Sequence, residues 1–508
     1  TESNNFSDSD WSPKAGTFAQ GITDPNGGTD AWSWTATNTD PYLYQAIGTS
    51  GVFTLSIYAK GVGSTIGKVL EFRNGSTTQN FTLTSEWQRF ELYAAAGGSN
   101  IGFEFGNPAV AGDVLHIYAA QWETGLVATN YLNSTSVTAK AGVLIDMPRI
   151  NYDANGENGS LLLEPSRQQL ITQSEYIGGS DWTFDATSGI NNSVLSPEGV
   201  KNAALITANG ANIDHTIYQL PVLSTGTYTL SAFVKKNTQR YVHLAFNQLN
   251  VATYWSSSVF DLDTLAKADY SNGTGYNDGT SKIEDYGNDW YRISLTASIP
   301  TATTIIAFIG FAEDMSAPDT SRGRWSFATT NSFYTWGIQL ESGSYMTSLI
   351  PNHGTSGGVT RAADEHNLSD ITSLIGTTQG SWFLDWEIAD SPTRDNSDIG
   401  FELSSDDNRD ELNFSVNANG EMRMFVRVDN TYNEKYATTN KSGKWCLVWN
   451  GTSLKLFQDG VEVYSDASVL VYNDYTTYEG VPNLQYKVKQ ILLFPTALTD
   501  AECISLTS

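Results

Sequence analysis

The chain has 508 residues, 55 Asp and Glu against 28 Lys and Arg, and a net charge of −27. That length suggests about three domains, each able to fill its own core, and 40% hydrophobic with 12% aromatic content argues against disorder. The lack of Lys/Arg clusters excludes a nucleic-acid partner, and with no apolar run of ~18 residues no membrane insertion is expected.

From the N-terminus onward the pattern is β. Residues 52–58 alternate between apolar and polar, as do 227–233 and 421–428, which describes strands with one buried face. Asn155-Gly156, Asn209-Gly210, Asn272-Gly273, Asn419-Gly420 and Asp459-Gly460 are hairpin-type turn signals. Helical periodicity is confined to 498–506, where Thr499 stands three residues before Glu502 and reads as a cap. The fold class expected is all-β, with three β-sandwich (jelly-roll) domains. Cys446 and Cys503 are the two cysteines, too few for a disulfide scaffold, and their spacing leaves pairing open.

An internal repeat organises the first two thirds. TESNNFSDSDW at 1–11 aligns without a gap with TQSEYIGGSDW at 172–182. Thr54-Leu55-Ser56 then matches Thr229-Leu230-Ser231, Lys60 matches Lys235, and Trp87-Gln88-Arg89 matches Trp290-Tyr291-Arg292. Gln121-Trp122-Glu123-Thr124-Gly125 matches Gln339-Leu340-Glu341-Ser342-Gly343, with Thr129 matching Thr347. The growing offset marks loop insertions, which cost little closure entropy. The expected domains are 1–136 (copy 1), a connector at 137–171, 172–358 (copy 2) and 359–508, whose strands are read at 382–388, 398–403, 413–416, 422–428, 445–450, 454–458 and 488–494.

Leu163-Glu164-Pro165-Ser166-Arg167, with Ser174 and Ser180-Asp181-Trp182, resembles an opening found in bacteriophage tail-fibre and other virion proteins. In that pattern Phe260-Asp261-Leu262, Asn288-Asp289-Trp290-Tyr291-Arg292, residues 336–343 and Val359-Thr360-Arg361-Ala362-Ala363-Asp364 follow in order. Gln168-Gln169 departs from the usual Thr-Asn, and copy 1 carries Lys140 in place of the arginine. The resemblance implies jelly rolls similar to carbohydrate-binding modules. The third unit resembles a concanavalin/laminin-G-like sandwich through Gly380-Ser381-Trp382, Trp445 to Asp459-Gly460, and Ile491-Leu492-Leu493-Phe494. Because a connector precedes Thr172 and nothing precedes Thr1, the chain is expected to be the C-terminal portion of a longer protein.

The five histidines are scattered and form no metal or catalytic spacing. Asp385-Trp386-Glu387, with Asp390, sets carboxylates along one strand. Sandwich glycosidases use such strand motifs, but with glutamates flanking the sugar bond. The shorter Asp385 at the first position favours a solvated strand face, and no enzyme is expected. Glycan binding suits the composition better, since sugar C–H faces stack on aromatic rings and hydroxyls pair with Asn, Asp and Ser. The candidates are aromatics in loops and insertions: Tyr254, Trp255, the 270–276 stretch, Trp325 beside Arg322 and Arg324, and Tyr472, Tyr475 and Tyr478. Trp11, Trp87, Trp182, Trp290 and Trp336 are expected in the core. The resemblance further implies a structural Ca²⁺ with Glu123 and Glu341 as candidate ligands, the alternative being ion pairs with Arg89 and Arg292. The acidic run at 406–411 reads as a solvated loop tip.

The expected protein is thus a virion-surface or extracellular fibre component that binds a host-surface glycan receptor without chemistry. Its other partners would be virion proteins and, as a family expectation, further copies of itself. The rival readings are a non-catalytic region of a secreted polysaccharide-active enzyme and a purely structural spacer.

Overall fold

The computed structural model describes the chain apart from positions 1, 13, 47–50, 96–100, 106–108, 136–137, 140–147, 154, 277–278, 321–322, 377, 389–399, 406–409, 417–421, 429–430, 438–439, 441, 452, 469–474 and 481–484. Lys140, Arg322, Asp390, Tyr472 and the Asn419-Gly420 turn therefore lie outside the described residues, as does most of the 406–411 loop.

The protein is all-β, with a single α-helix among the described residues. In the first unit a five-stranded antiparallel sheet runs in the order Thr17–Ile22, Ala31–Thr35, Val114–Thr124, Val52–Val62, Gln88–Ala95. It faces a four-stranded sheet ordered Tyr42–Gln45, Ile101–Phe105, Val69–Asn74, Thr77–Thr82. The alternation read from the sequence sends Leu55, Ile57, Phe72, Phe103 and Leu115 into the shared core with Trp34. Burying each such side chain stabilises by about 1.5–3 kcal/mol.

The second unit repeats this order strand for strand. Thr187–Val194, Ala203–Ala208, Ser332–Ser342, Gly226–Lys236 and Trp290–Ile299 form one sheet. Thr216–Gln219, Thr303–Phe311, Tyr241–Gln248 and Trp255–Asp261 form the core of the other. The first insertion supplies one extra edge strand to each, Lys267–Asn272 and Thr280–Asp285. The second contributes Ser326–Ala328, paired with Asn212–Asp214.

The repeat persists to single hydrogen bonds. A bulge falls between Ser56 and Tyr58 and again between Ser231 and Phe233. Opposite them, Ala119 and Gly337 take left-handed φ values of 56° and 59°. Trp11 Nε1 donates to Glu2 O at 2.8 Å, and Trp182 Nε1 to Gln173 O at 2.9 Å. Ser3 Oγ accepts from Ser134 N at 2.8 Å, and Ser174 Oγ from Asn352 N at 2.9 Å. Four of the five repeat tryptophans are buried, but Trp87 is half-buried, with Lys60 over its ring.

The third unit packs a six-stranded sheet against a seven-stranded one, with Trp382, Trp386, Leu403, Leu412, Val426 and Trp445 between them. The six-stranded sheet runs His366–Ser369, Thr477–Gly480, Phe401–Ser404, Glu411–Val416, Met422–Val428, Thr431–Ala437. The other contains Tyr486–Phe494, Gln379–Ile388, Gly443–Asn450, Ser453–Gln458 and Val461–Asp466, and its remaining two strands come from far upstream. Ile150–Asn151 and Ser160–Leu163 of the expected connector extend it, with residues 161–163 pairing to 486–488. The apolar Leu161-Leu162-Leu163 run covers a sheet edge, and Leu163 joins the third unit's core.

Asp459 and Gly460, at φ 46° and 82°, make the tight hairpin expected of them. Asn155-Gly156 closes the 150–163 hairpin. Asn209-Gly210 and Asn272-Gly273 instead turn the chain from one sheet to another, since the strands flanking each do not pair together. The helix Asp500–Thr507 is capped by Thr499, whose side chain accepts from Glu502 N while Glu502 reaches back to Thr499 N. Cys446 and Cys503 are free buried thiols, Sγ to Sγ 3.6 Å, where this helix lies on the sheet.

Candidate functional site

The aromatic residues singled out from the sequence do not share one surface. Trp255 is 7% exposed, Trp325 2%, Tyr475 1% and Tyr478 5%. Trp325 packs edge-on to His243 at 4.8 Å between centroids. Tyr475 meets Trp449 edge-on, and Tyr478 lies among Trp382, Phe401 and His366. Rings enclosed this way offer no face to a sugar, so these four are packing residues, a correction to their expected role. Trp255 and Tyr478 sit on strands whose faces are covered, and the segments carrying Trp325 and Tyr475 fold back onto a sheet and find apolar cover there. Tyr254 remains accessible at 37%, stacked at 5.7 Å on the buried Tyr276.

Glu123 and Glu341 also have another role than the one expected. Glu341 accepts from Gln339 Nε2, Thr347 N and Thr347 Oγ1, each at 2.7 Å. Glu123 accepts from Gln121 Nε2, Thr129 N and Thr129 Oγ1 at 2.7, 3.0 and 2.6 Å. The glutamine carbonyls complete each clamp by accepting from Leu132 N and Ile350 N, both at 2.7 Å. Each carboxylate thus ties the last strand of its jelly roll to the chain that leaves it. Its lone pairs face donors of the chain itself, and among the described residues no three His, Cys, Asp or Glu side chains are grouped to hold a metal. Arg89 and Arg292 bond Ser56 and Ser231 instead, both at 3.1 Å.

The two motif ends at 163–167 and 359–364 meet in space. Glu164, fully buried, accepts from Arg149 Nη1 at 2.8 Å, Arg361 Nη1 at 2.6 Å, Ser348 N at 2.8 Å and Gln485 Nε2 at 2.8 Å. Asp364 receives Glu164 N at 2.7 Å and pairs with Arg149. Burial alone would raise the Glu164 carboxyl, but Arg361, the Ser348 amide and Arg149 hold it below the ordinary range. This clasp joins the second unit (Ser348) to the third (Gln485). Arg167 extends it, with its guanidinium over the Tyr345 ring.

Beside the clasp opens a cleft of about 900 Å³. One wall is the 150–160 hairpin with Tyr152, the second is the inserted strand and turn at 284–286 with Tyr286, and the third is the sheet of the last unit with Glu387, Gln485, Lys487 and Lys489. Tyr152 is 55% exposed and Tyr286 43%. Tyr286 is held edge-on to Phe233 at 4.9 Å. Gly159 lets Tyr152 lie flat on the hairpin, because a Cβ there would stand 2.9 Å from the ring. Asp153 is spent within its own turn, accepting from Asn155 N, Glu157 N and Asn158 Nδ2, and the Glu157 amide and Asn158 hold its carboxyl low. Two open phenol rings, amide and hydroxyl groups, and charges of both signs line one concave space.

Of the strand carboxylates, Glu387 reaches this cleft and pairs weakly with Lys487 at 3.8 Å, while Asp385 lies opposite Lys444 and Gln490. The sequence reading overlooked Tyr152 and Tyr286. Both sit beside Gly/Asn turns, but Tyr152 lies in an apparent connector and Tyr286 just past the aromatic stretch of the insertion.

No protein-family model matches the chain, and no curated protein matches it in sequence. Among solved structures it is similar to the N-terminal CBM22-1–CBM22-2 tandem domain of Paenibacillus barcinonensis Xyn10C, at 11% identity over 65% of this chain and 99% of that one, TM-score 0.22. It is also similar to Trypanosoma rangeli sialidase (10% identity, 97% of each chain, TM-score 0.23). A third likeness is to the LG1–3 region of the laminin alpha2 chain (8% identity, 92% of this chain and 97% of that one, TM-score 0.18). Scores this low carry no functional argument, and the fold rests on the chain's own strand pairing.

Proposed function

We propose that the protein is a glycan-binding component of a virion surface, acting by recognition and not by bond cleavage. The observation that carries the glycan reading is the cleft in which Tyr152 and Tyr286 stand half-exposed beside Gln485, Ser348 and Asn151. Phenol rings with an open face stack on sugar C–H groups, and their edges and neighbouring amides serve hydroxyls. A cleft of about 900 Å³ suits a short oligosaccharide. The virion placement rests on the ordered motifs from 163 to 364 and their resemblance to phage fibre proteins. On a particle that carries many copies, weak sites would act together through effective concentration.

The test is a glycan array followed by calorimetry on the full chain. Tyr152→Ala and Tyr286→Ala are each expected to weaken binding roughly 3- to 10-fold, with unfolding curves unchanged. No binding at millimolar sugar would sink the reading and leave the structural-spacer alternative, which the buried clasp favours. Electron microscopy of the native assembly tests the virion placement separately.

A further inference from the structure

The cleft has an electrostatic asymmetry that composition hides. Acids outnumber bases 55 to 28 over the chain, yet the third unit's wall presents Lys487 and Lys489 together. The strand Tyr486–Phe494 pairs Gln490 with Asp385 and Val488 with Trp386, so Lys489 is the extra residue of a β-bulge. A bulge re-aims its side chain and breaks the alternation; here Lys489 and Gln490 are both exposed. Lys489 has no ion-pair partner among the described residues. Lys487 meets Glu387 only at 3.8 Å, a half-exposed pair that exchanges readily. The other acids of the cleft stand on the two facing walls. Asp153 is on the 150–160 hairpin, where it accepts from turn amides, and Glu284 and Asp285 are on the inserted strand, so only Glu387 shares the lysines' wall.

We infer that the cleft selects acidic glycans, whose carboxylate, sulfate or phosphate group is received by Lys489 with Lys487 while the sugar rings lie on Tyr152 and Tyr286. This rests on the glycan-binding reading and goes further by naming the ligand's charge. The net −27 does not forbid it, because at physiological salt charges beyond about 8 Å are screened, and on the third unit's wall Lys487 and Lys489 outnumber Glu387. Lysine is a compact point charge without the planar fork of arginine, so the three anionic groups share this site.

The test is an array of matched pairs, each neutral oligosaccharide beside its uronate, sulfated and phosphorylated forms, followed by calorimetry at 50 and 500 mM salt. Acidic members are expected to bind about tenfold tighter than their neutral partners, with the margin shrinking at high salt. Lys489→Gln, and the double change with Lys487→Gln, should erase that margin. Lys201→Gln, on an exposed loop away from the cleft, should preserve it. Equal or weaker binding of every acidic form, with neutral binding still dependent on Tyr286, overturns this inference and leaves the glycan reading standing. Loss of all tyrosine-dependent binding overturns both.

Discussion

Glu175 shows how one buried side chain couples stability to pH. Its carboxyl is 7% exposed, accepts from Trp336 Nε1 at 3.0 Å and lies 3.3 Å from His353 Nε2. Burial, with Glu198 nearby, pushes it up to about 7, and burial lowers His353, so the neutral pair is the favoured state. A carboxyl raised on folding contributes stability that is full below its ordinary value of 4.5 and lost as pH rises through about 7. Glu175→Gln should therefore behave like the parent at pH 5 and be more stable at pH 8, by about 2 kcal/mol. Urea unfolding at the two pH values reads the difference; a variant equally destabilised at both would refute it. His353 O also accepts from Val52 N of the first unit at 3.4 Å, so this pair lies where the two repeats touch. Nothing in the spacing of Glu175 and His353 announced the pair, because residues 178 positions apart meet only once the sandwich closes. By contrast, the Gln-x-Glu clamps were visible as aligned letters in both copies, although their chemistry was not. The same letters would serve a cation or a threonine, and only the position of Thr129 and Thr347 decided for the threonine.

At the scale of elements, local signals fared according to how local their physics is. Asp459-Gly460 makes its hairpin because both positions accept left-handed backbone. The terminal helix begins where Thr499 and Glu502 cap it reciprocally, and both groups lie within one turn. Thr499→Ala is expected to cost about 1 kcal/mol, seen as a lower midpoint for the third unit by calorimetry, while Thr499→Ser should restore it. The helix lies over Cys446 through Cys503 and Leu506, with Leu498 just before it in the same cluster, so its loosening should also open the two thiols to a thiol reagent. Asn209-Gly210 and Asn272-Gly273 carry the same turn chemistry but lead into different sheets, a choice set by which edges are free. The bulge at Lys489 is likewise silent in the sequence, where Lys487-Val488-Lys489 reads as plain alternation.

Over the whole molecule, the Glu164 clasp makes the second and third units one frame around the cleft. Arg361→Ala leaves fully buried Glu164 with a single guanidinium, and breaking a buried pair from one side costs about 3 kcal/mol or more. The expected outcome is faster proteolysis in the 351–358 loop and weaker glycan binding, with both tyrosines intact. Unchanged cleavage and affinity would show that the clasp does not hold the cleft.

The sequence by itself determined the all-β class, the repeat with its two insertions, the capped helix and the ordered motifs. Each is written in periodicity, turn chemistry or matched letters, which act over a few residues or recur in register. Only the tertiary structure decided that the supposed connector lends two strands to the last unit and that the motif ends at Glu164 and Arg361 form one buried cluster. It alone showed that Trp255, Trp325, Tyr475 and Tyr478 are interior while Tyr152 and Tyr286 face an open cleft. The reason is physical. An aromatic ring on a strand or loop is free to cover a sheet or to face solvent, and which it does depends on apolar surface supplied by other strands of the fold, as His243 does for Trp325 and Trp382 for Tyr478.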